Sequence, residues 1–181
     1  MSLDGKKIAF LVAPEGVEQV ELTQPWKAVQ QAGGQPVLIS AGDARTVQAF
    51  HHLDKGDTFP VDLPVSRAGV EDYDGLVLPG GVANADQLRT DPEAVAFAKG
   101  FVRTGKPVAV ICHGPWTLLE ADVVRGRTIT SWPSLRTDLT NAGAHWVDRE
   151  VVLDTTGPGP LISSRKPDDL KAFITTMAEA F

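Results

Sequence analysis

Short apolar runs recur along this 181-residue chain, and each is followed by a segment with helical or turn character. They are residues 7–13 (KIAFLVA), 35–40 (QPVLIS), 75–78 (GLVL) and 108–111 (VAVI). Runs that are apolar on both faces are typical of parallel sheets, because helices cover both faces of such sheets. The order of these signals predicts a mostly parallel α/β sheet between two helix layers, with right-handed crossovers.

The segments between these strands are less uniform. Helices are predicted at residues 18–32, 93–104, 117–121 and 167–180, and further short strands at 126–130, 151–154 and 161–163. Pro25 lies inside the first helical pattern, where a proline kinks or divides a helix. Residues 41–68 have no helical period, which favours a hairpin-like excursion at a sheet edge, and residues 79–92 are predicted to be a polar loop.

Composition limits the function classes. With 43% hydrophobic residues the chain is long enough for one sizeable core, so residues 1–181 are predicted to form one domain. The net charge of −6 argues against binding nucleic acid or an anionic membrane surface. A single cysteine forms no internal disulfide, and the first residues contain no signal-peptide core, so a cytoplasmic protein is expected.

Neither a cofactor nor a metal is indicated by the sequence. It contains no P-loop and no Gly-x-Gly-x-x-Gly motif. His51 and His52 are adjacent and would face different ways on a strand, and one cysteine without spaced partners makes no zinc site.

The strongest functional signal is the stretch Val-Ala-Val-Ile-Cys-His-Gly-Pro at residues 108–115, which holds the only cysteine of the chain. A sharp turn at the carboxyl end of a parallel strand lifts a side chain out of the sheet, and a helix that begins just after it directs amide dipoles at that side chain. Cys112 is therefore predicted to be an easily ionised nucleophile. The alternative is an inert small hydrophobe.

Residues near the cysteine offer supporting roles. His113 is a candidate general base, or its N–H a donor to an oxyanion, although adjacent residues on a tight turn ordinarily point apart; the alternative is a structural histidine. Gly80 and Gly81 let the backbone approach a ligand and donate N–H groups to an anion, but a tight turn needs the same residues. Trp116 is close enough to the turn to wall a pocket, unless it belongs to the core.

Loops after three predicted strands, at residues 14–21, 79–86 and 112–115, gather at one edge of a parallel sheet, which is where ligands bind in such folds. The first loop offers the carboxylates of Glu15, Glu18 and Glu21, and one that faces the turn would hydrogen-bond the thiol. Glu18 is placed at the helix start, where it points back across the strand ends or simply stabilises the helix dipole. Asp86 either orients a histidine or marks a helix entry.

At these residues the chain resembles the PfpI family, which belongs to the superfamily of the parkinsonism-associated deglycase and the glutamine-amidotransferase-like domains. The matching stretches are VEQVEL (17–22), LVLPGG (76–81), GKPVAVICHGP (105–115), NAGAHWVD (141–148) and SSRKPDDL (163–170). The resemblance implies a three-layer flavodoxin-like sandwich with Cys112 as the reactive residue.

The resemblance also implies partners for the cysteine. In such proteins the cysteine faces a protonated glutamate, here matched to Glu18, and His113 is joined by an acidic residue of a neighbouring subunit, matched to Asp86. A homodimer or a larger homo-oligomer is therefore expected. The implied activity is a stress-protective, cofactor-independent deglycase or glyoxalase that acts on reactive dicarbonyls or glycated adducts. Two alternatives stay open: an intracellular cysteine peptidase, and a non-catalytic sensor of oxidative stress through Cys112 oxidation.

Overall fold

A computed structural model describes residues 2–181. Its strands are β1 (Lys7–Val12), β2 (Glu15–Glu18), β3 (Gln35–Ser40), β4 (Thr46–His51), β5 (Asp54–Pro60), β6 (Leu63–Pro64), β7 (Gly75–Leu78), β8 (Val108–Ile111), β9 (Thr128–Ile129), β10 (His145–Trp146), β11 (Val151–Asp154) and β12 (Leu161–Ser164). Its α-helices are α1 (Gln19–Gln31), α2 (Val82–Thr90), α3 (Pro92–Arg103), α4 (Pro115–Glu120), α5 (Arg136–Asn141) and α6 (Leu170–Ala180).

The main sheet has the strand order β11-β12-β8-β7-β1-β3-β6. Its neighbouring strands run parallel except for β11 and β12, which pair antiparallel. The prediction of a mostly parallel sheet is therefore confirmed. The apolar runs form its centre because β7 and β8 are buried along their whole length.

Two apolar clusters lie on opposite faces of this sheet. In β1, Ala9 and Leu11 belong to one cluster while Ile8 and Phe10 belong to the other, as the two-residue period of a strand requires. Helix α3 packs into the first cluster, and α6 packs with α1 on the second face. The predicted three-layer flavodoxin-like sandwich is confirmed.

Two predictions about the connections were wrong. Residues 82–90 are the helix α2 rather than part of a polar loop: this helix shows little apolar periodicity because one of its few buried side chains is the polar Asn84. The predicted hairpin exists as β4 and β5, but it forms a separate three-stranded sheet with β2 instead of extending the main sheet. Pro25 lies within α1 without dividing it.

Within the part of the chain that the structure describes, no helix combines the length and apolar character needed to cross a bilayer.

Candidate active site

A pocket of about 810 Å³ opens at the carboxyl ends of β1, β7 and β8, which are neighbours in the main sheet. The three loops predicted to converge do so here. The pocket is lined by Gly16, Glu18, Glu21, Phe50, His52, Leu53, Gly81, Val82, Ala83, Asp86, Cys112, His113, Trp116, Trp132, Lys166, Pro167 and Asp168. Cys112, His113, Glu18, Asp86, Gly81 and Trp116, all named from the sequence, are among these residues.

Cys112 occupies the sharp turn between β8 and α4 in a left-handed backbone conformation, with φ of 62°. Such a conformation is costly for a residue with a Cβ atom and is maintained only by the surrounding structure. Here the Cys112 N–H donates to the carbonyl of Ser164 at 3.0 Å, and the Cys112 carbonyl accepts from the N–H of Trp132 at 2.9 Å. These contacts hold the thiol at the pocket floor, where Cys112 is 6% exposed.

The carboxyl beside the thiol belongs to Glu21, not to Glu18. Glu21 is fully buried, and its Oε2 accepts a hydrogen bond from the Gly80 N–H at 2.8 Å. Within residues 2–181, its Oε1 has no nitrogen or oxygen partner, and the Cys112 side chain lies against the carboxyl. A Cβ atom on Gly80 would overlap both Glu21 Oε2 and Cys112 Cβ, so only glycine fits between them.

Burial is the main cause that raises the pKa of Glu21 to about 8; the charge of Glu18 acts in the same direction, and the Gly80 N–H acts against both. Glu21 therefore carries a proton at neutral pH. A signal for it was present in the sequence, because position 21 shares one face of α1 with Leu22, Pro25 and Val29. A glutamate on the buried face of a helix is unusual and points to a role in the interior.

Glu18 lies on the wall of the same pocket and is partly exposed. Its Oε2 accepts a hydrogen bond from the N–H of His52 at 3.0 Å. The stretch VEQVEL thus contains the predicted carboxyl, but the turn of α1 brings its second glutamate, three residues further on, to the sulfur. The placement of Glu18 opposite the thiol was wrong.

The environment of Cys112 does not favour its ionisation. Burial raises the pKa of the Cys112 thiol, as does a negative charge on Glu21, while the N–H groups of Gly81 and His113 lower it. Burial dominates, so the predicted low pKa is wrong. Because Glu21 is protonated at neutral pH, its repulsion of a thiolate is removed there, and the two groups titrate as a pair.

His113 does reach the thiol, contrary to the expectation for adjacent turn residues. Its Nδ1 lies 3.1 Å from Cys112 Sγ, and its Nε2 lies 3.5 Å from the hydroxyl of Ser134. The ring stacks on Trp132, with centroids 5.6 Å apart, and is tilted against Trp116 at 5.3 Å. Burial lowers the pKa of His113 to about 4, so the imidazole is neutral at pH 7 and is able to accept a proton.

The two glycines and Asp86 differ in their relation to the sulfur. Gly81, with φ of 89°, directs its N–H at the thiol, whereas the Gly80 N–H binds Glu21. Asp86 is an exposed residue of α2 that lines the pocket but is not among the hydrogen-bond partners of His113 within the described residues. Residues 2–181 contain no cluster of three or more potential metal ligands.

Sequence comparisons cover nearly the whole chain. The pattern of the DJ-1/PfpI family matches residues 6–180. Over 168 residues the chain is 42% identical to "Deglycase PH1704" of Pyrococcus horikoshii, covering 93% of this chain and 95% of the relative. It is 41% identical to "Putative cysteine protease YraA" of Bacillus subtilis, covering 93% and 94%.

Solved structures show the same relationship. Schizosaccharomyces pombe DJ-1 has a TM-score of 0.81 and 25% identity, with 96% of this chain and 90% of that chain covered. A two-domain protein from Anabaena variabilis, with DJ-1/ThiJ/PfpI-like and ferritin-like domains, has a TM-score of 0.87 and 32% identity. The match covers 96% of this chain, which spans about half (49%) of that protein's length. The chain belongs to the DJ-1/PfpI family.

Proposed function

We propose that this protein is a cysteine-dependent enzyme that acts on reactive dicarbonyls or glycated adducts, with Cys112 as its nucleophile. The observation that carries the proposal is the strained turn that holds the Cys112 thiol between a neutral imidazole and a protonated carboxyl. A nucleophile, a base and an acid within one pocket are the groups that carbonyl addition requires. The name of the Pyrococcus relative, a deglycase, supports this reaction class.

The first step is addition of sulfur to the substrate aldehyde. As Sγ bonds to the aldehyde carbon, His113 Nδ1 takes the thiol proton, and Glu21 donates its proton to the carbonyl oxygen. The N–H groups of Gly81 and His113, which point at the sulfur, stabilise the negative charge that develops on the sulfur as it loses its proton. The product of this step is a hemithioacetal on Cys112.

The remaining steps need only water. Removal of the proton from the former aldehyde carbon and its return to the neighbouring carbonyl carbon oxidises the first carbon and reduces the second, which leaves a thioester. Hydrolysis of the thioester releases a 2-hydroxy acid and restores the thiol. The sum is dicarbonyl plus water to hydroxy acid. With a glycated amine, the amine is released as well.

The test compares methylglyoxal and a glycated amine as substrates for wild type, Cys112→Ala and Glu21→Gln. Cys112→Ala is expected to abolish turnover, and Glu21→Gln to reduce it by roughly 10²- to 10⁴-fold, the usual contribution of a positioned acid or base. Glu15→Gln, an exposed residue of β2 outside the pocket, is the matched control. Undiminished turnover by pure Cys112→Ala protein would refute the proposal.

A second candidate function is peptide hydrolysis, which the name of the Bacillus relative and the 3.1 Å Cys112–His113 contact favour. A fluorogenic peptide assay with wild type and Cys112→Ala separates it from a contaminating protease. If neither substrate class is turned over, graded peroxide treatment and mass spectrometry decide the sensor alternative. Selective oxidation of Cys112 in the folded protein would favour a sensor.

We also propose that the protein is a cytoplasmic homodimer or larger homo-oligomer associated through this face. Leu53 (81% exposed) and Val82 (55% exposed) are large apolar side chains on the pocket lining, and exposed apolar groups at one place favour an interface. In such an assembly Asp86 would be available to a partner's site. Sedimentation equilibrium of wild type and Val82→Asp tests this, and a wild-type monomer would refute it.

A further inference from the structure

We propose that Glu18 is a positioning residue whose carboxylate fixes the turn at residues 51–54 as one wall of the Cys112 pocket, and that this wall selects carbonyl substrates with a bulky apolar group. The selection of substrates rests on the proposed function, whereas the positioning of the turn by Glu18 does not.

Glu18 connects two elements that border the pocket. Its N–H donates to the carbonyl of Gly80 at 3.3 Å, and its Oε2 accepts from the N–H of His52 at 3.0 Å. In the pairing of β2 with β4 it lies opposite Phe50. One residue therefore joins the loop beside the nucleophile to the tip of the β4–β5 hairpin.

The tip of the hairpin needs such support. Residues 51–54 are exposed, and His52 has a left-handed backbone with φ of 60°, which residues with a Cβ atom adopt rarely. The Glu18 carboxylate satisfies the N–H of this residue. Further along the hairpin, Gln19 exchanges hydrogen bonds of 2.7 Å with both the side chain and the N–H of Asp57. Gln19 thus holds β5, and Glu18 adds a side-chain hydrogen bond to the turn that the pairing of His51 with Asp54 closes.

The turn supplies the part of the pocket wall that a small substrate does not need. Phe50, His52 and Leu53 line the pocket from the hairpin, and Trp116 and Trp132 line it from beyond the nucleophile. A volume of about 810 Å³ is in the range that holds drug-sized ligands, far more than a three-carbon dicarbonyl fills. Phe50 and Leu53 offer apolar surface to a larger group, because both side chains line the pocket.

The kinetic test uses methylglyoxal and phenylglyoxal, which present the same reacting group with and without a ring. For Glu18→Ala, KM for phenylglyoxal is expected to rise about tenfold, which corresponds to about 1.4 kcal/mol of lost binding. Any change in kcat that follows from loss of the Glu18 charge near Glu21 should be equal for the two substrates. KM for methylglyoxal should change less than about twofold. Glu18→Gln retains an accepting oxygen and should restore the wild-type preference, and Glu15→Ala is the control from the same strand.

The proposed selection would be overturned by equal changes in KM for the two substrates or by a fall in kcat alone. A Glu18→Gln variant as impaired as Glu18→Ala would also overturn it. Absence of turnover by wild type would instead overturn the proposed function, and the inference would then be decided by two measurements that need no turnover.

The first of these is hydrogen exchange at the His52 amide. Its protection should be lost in Glu18→Ala and kept in Glu18→Gln and Glu15→Ala. The second is the rate at which Cys112 is alkylated by N-benzyl iodoacetamide relative to iodoacetamide. This ratio should fall in Glu18→Ala and be unchanged in the other two variants. An unaltered His52 amide or an unaltered ratio in Glu18→Ala would contradict the role of Glu18.

Discussion

Replacing Glu21 by glutamine should make the protein more stable than wild type, by an amount that grows as the pH rises. Glutamine keeps an oxygen that accepts the Gly80 N–H, which in wild type donates to Glu21 at 2.8 Å, and it has no ionised form. The wild-type carboxyl is fully buried, and its ionisation is opposed by that burial. The variant therefore isolates the cost of ionising this group.

The magnitude follows from the pKa of Glu21, which is raised from 4.5 to about 8 by folding. Between these pH values the folded protein retains a proton that the unfolded chain has released, so the stability contribution is fully present below pH 4.5 and is lost as the pH rises through 8. Each tenfold gain in the proton affinity of the carboxyl corresponds to about 1.4 kcal/mol. The largest possible difference in unfolding free energy between wild type and Glu21→Gln is therefore about 5 kcal/mol. Between pH 5 and 8 the expected loss is about 3–4 kcal/mol.

The assay is urea unfolding of wild type and Glu21→Gln at several pH values from 5 to 8, with Glu15→Gln, an exposed glutamate outside the pocket, as the control. The difference in unfolding free energy between the two proteins is used because His113 affects the pH dependence of stability in the opposite direction to Glu21. The pKa of His113 is lowered to about 4, so its contribution is lost as the pH falls below 6.5, equally in both proteins. A difference between wild type and Glu21→Gln that does not depend on pH would refute the assignment of a protonated Glu21.

Three further outcomes are expected. Cys112→Gly should be more stable than Cys112→Ala by about 1 kcal/mol, measured by urea unfolding, because glycine adopts φ of 62° without strain; equal stabilities would contradict this. Trp132→Leu exposes the stacked imidazole, so NMR titration should show the pKa of His113 rising from about 4 towards 6.5, and an unchanged pKa would count against burial as its cause. Arg127→Met leaves the buried Asp154 carboxylate without its ion pair and should cost roughly 3–5 kcal/mol; a loss below about 1 kcal/mol would show the pair to be dispensable.

The main sheet could be predicted because its signal is local. Each of β1, β3, β7 and β8 is a short apolar run, and burial of both faces makes that pattern visible in the sequence. By contrast, β2 consists of Glu-Gly-Val-Glu and is a strand only because it pairs with β4. Its existence depends on a tertiary contact that no local pattern reports.

Helix α2 was missed for a related reason. Its inward face carries Asn84, whose amide group donates to the carbonyls of Pro79 and Gly80 and accepts the N–H of Ala13. These bonds satisfy the backbone at the ends of β7 and β1, where a hydrophobic side chain would leave polar groups unpaired. Because Asn84 is polar, it interrupts the apolar periodicity expected of a helix, and the sequence pattern therefore favours a loop.

At the candidate site, the position of Cys112 could be predicted from the end of an apolar strand, but its carboxyl partner and the direction of its pKa shift could not. Glu18 and Glu21 differ by three residues, and only the rotation of α1 decides which of them is buried. The pKa of Cys112 is raised chiefly by burial, which depends on side chains from several elements. The location of a site is therefore more accessible to sequence reasoning than the protonation state of its members.

The packing of His113 between two indole rings gives the protein an optical reporter of its own pocket. Trp116 and Trp132 both contact this imidazole and both line the cavity, whereas Trp26 packs on Phe10 on the far side of the sheet. Indole emission responds to a neighbouring imidazolium and to displacement of water, so protonation of the ring and entry of a ligand change the fluorescence of the unlabelled protein. Occupancy of the site can thus be followed in solution without a dye, a coupled reaction or a modified cysteine.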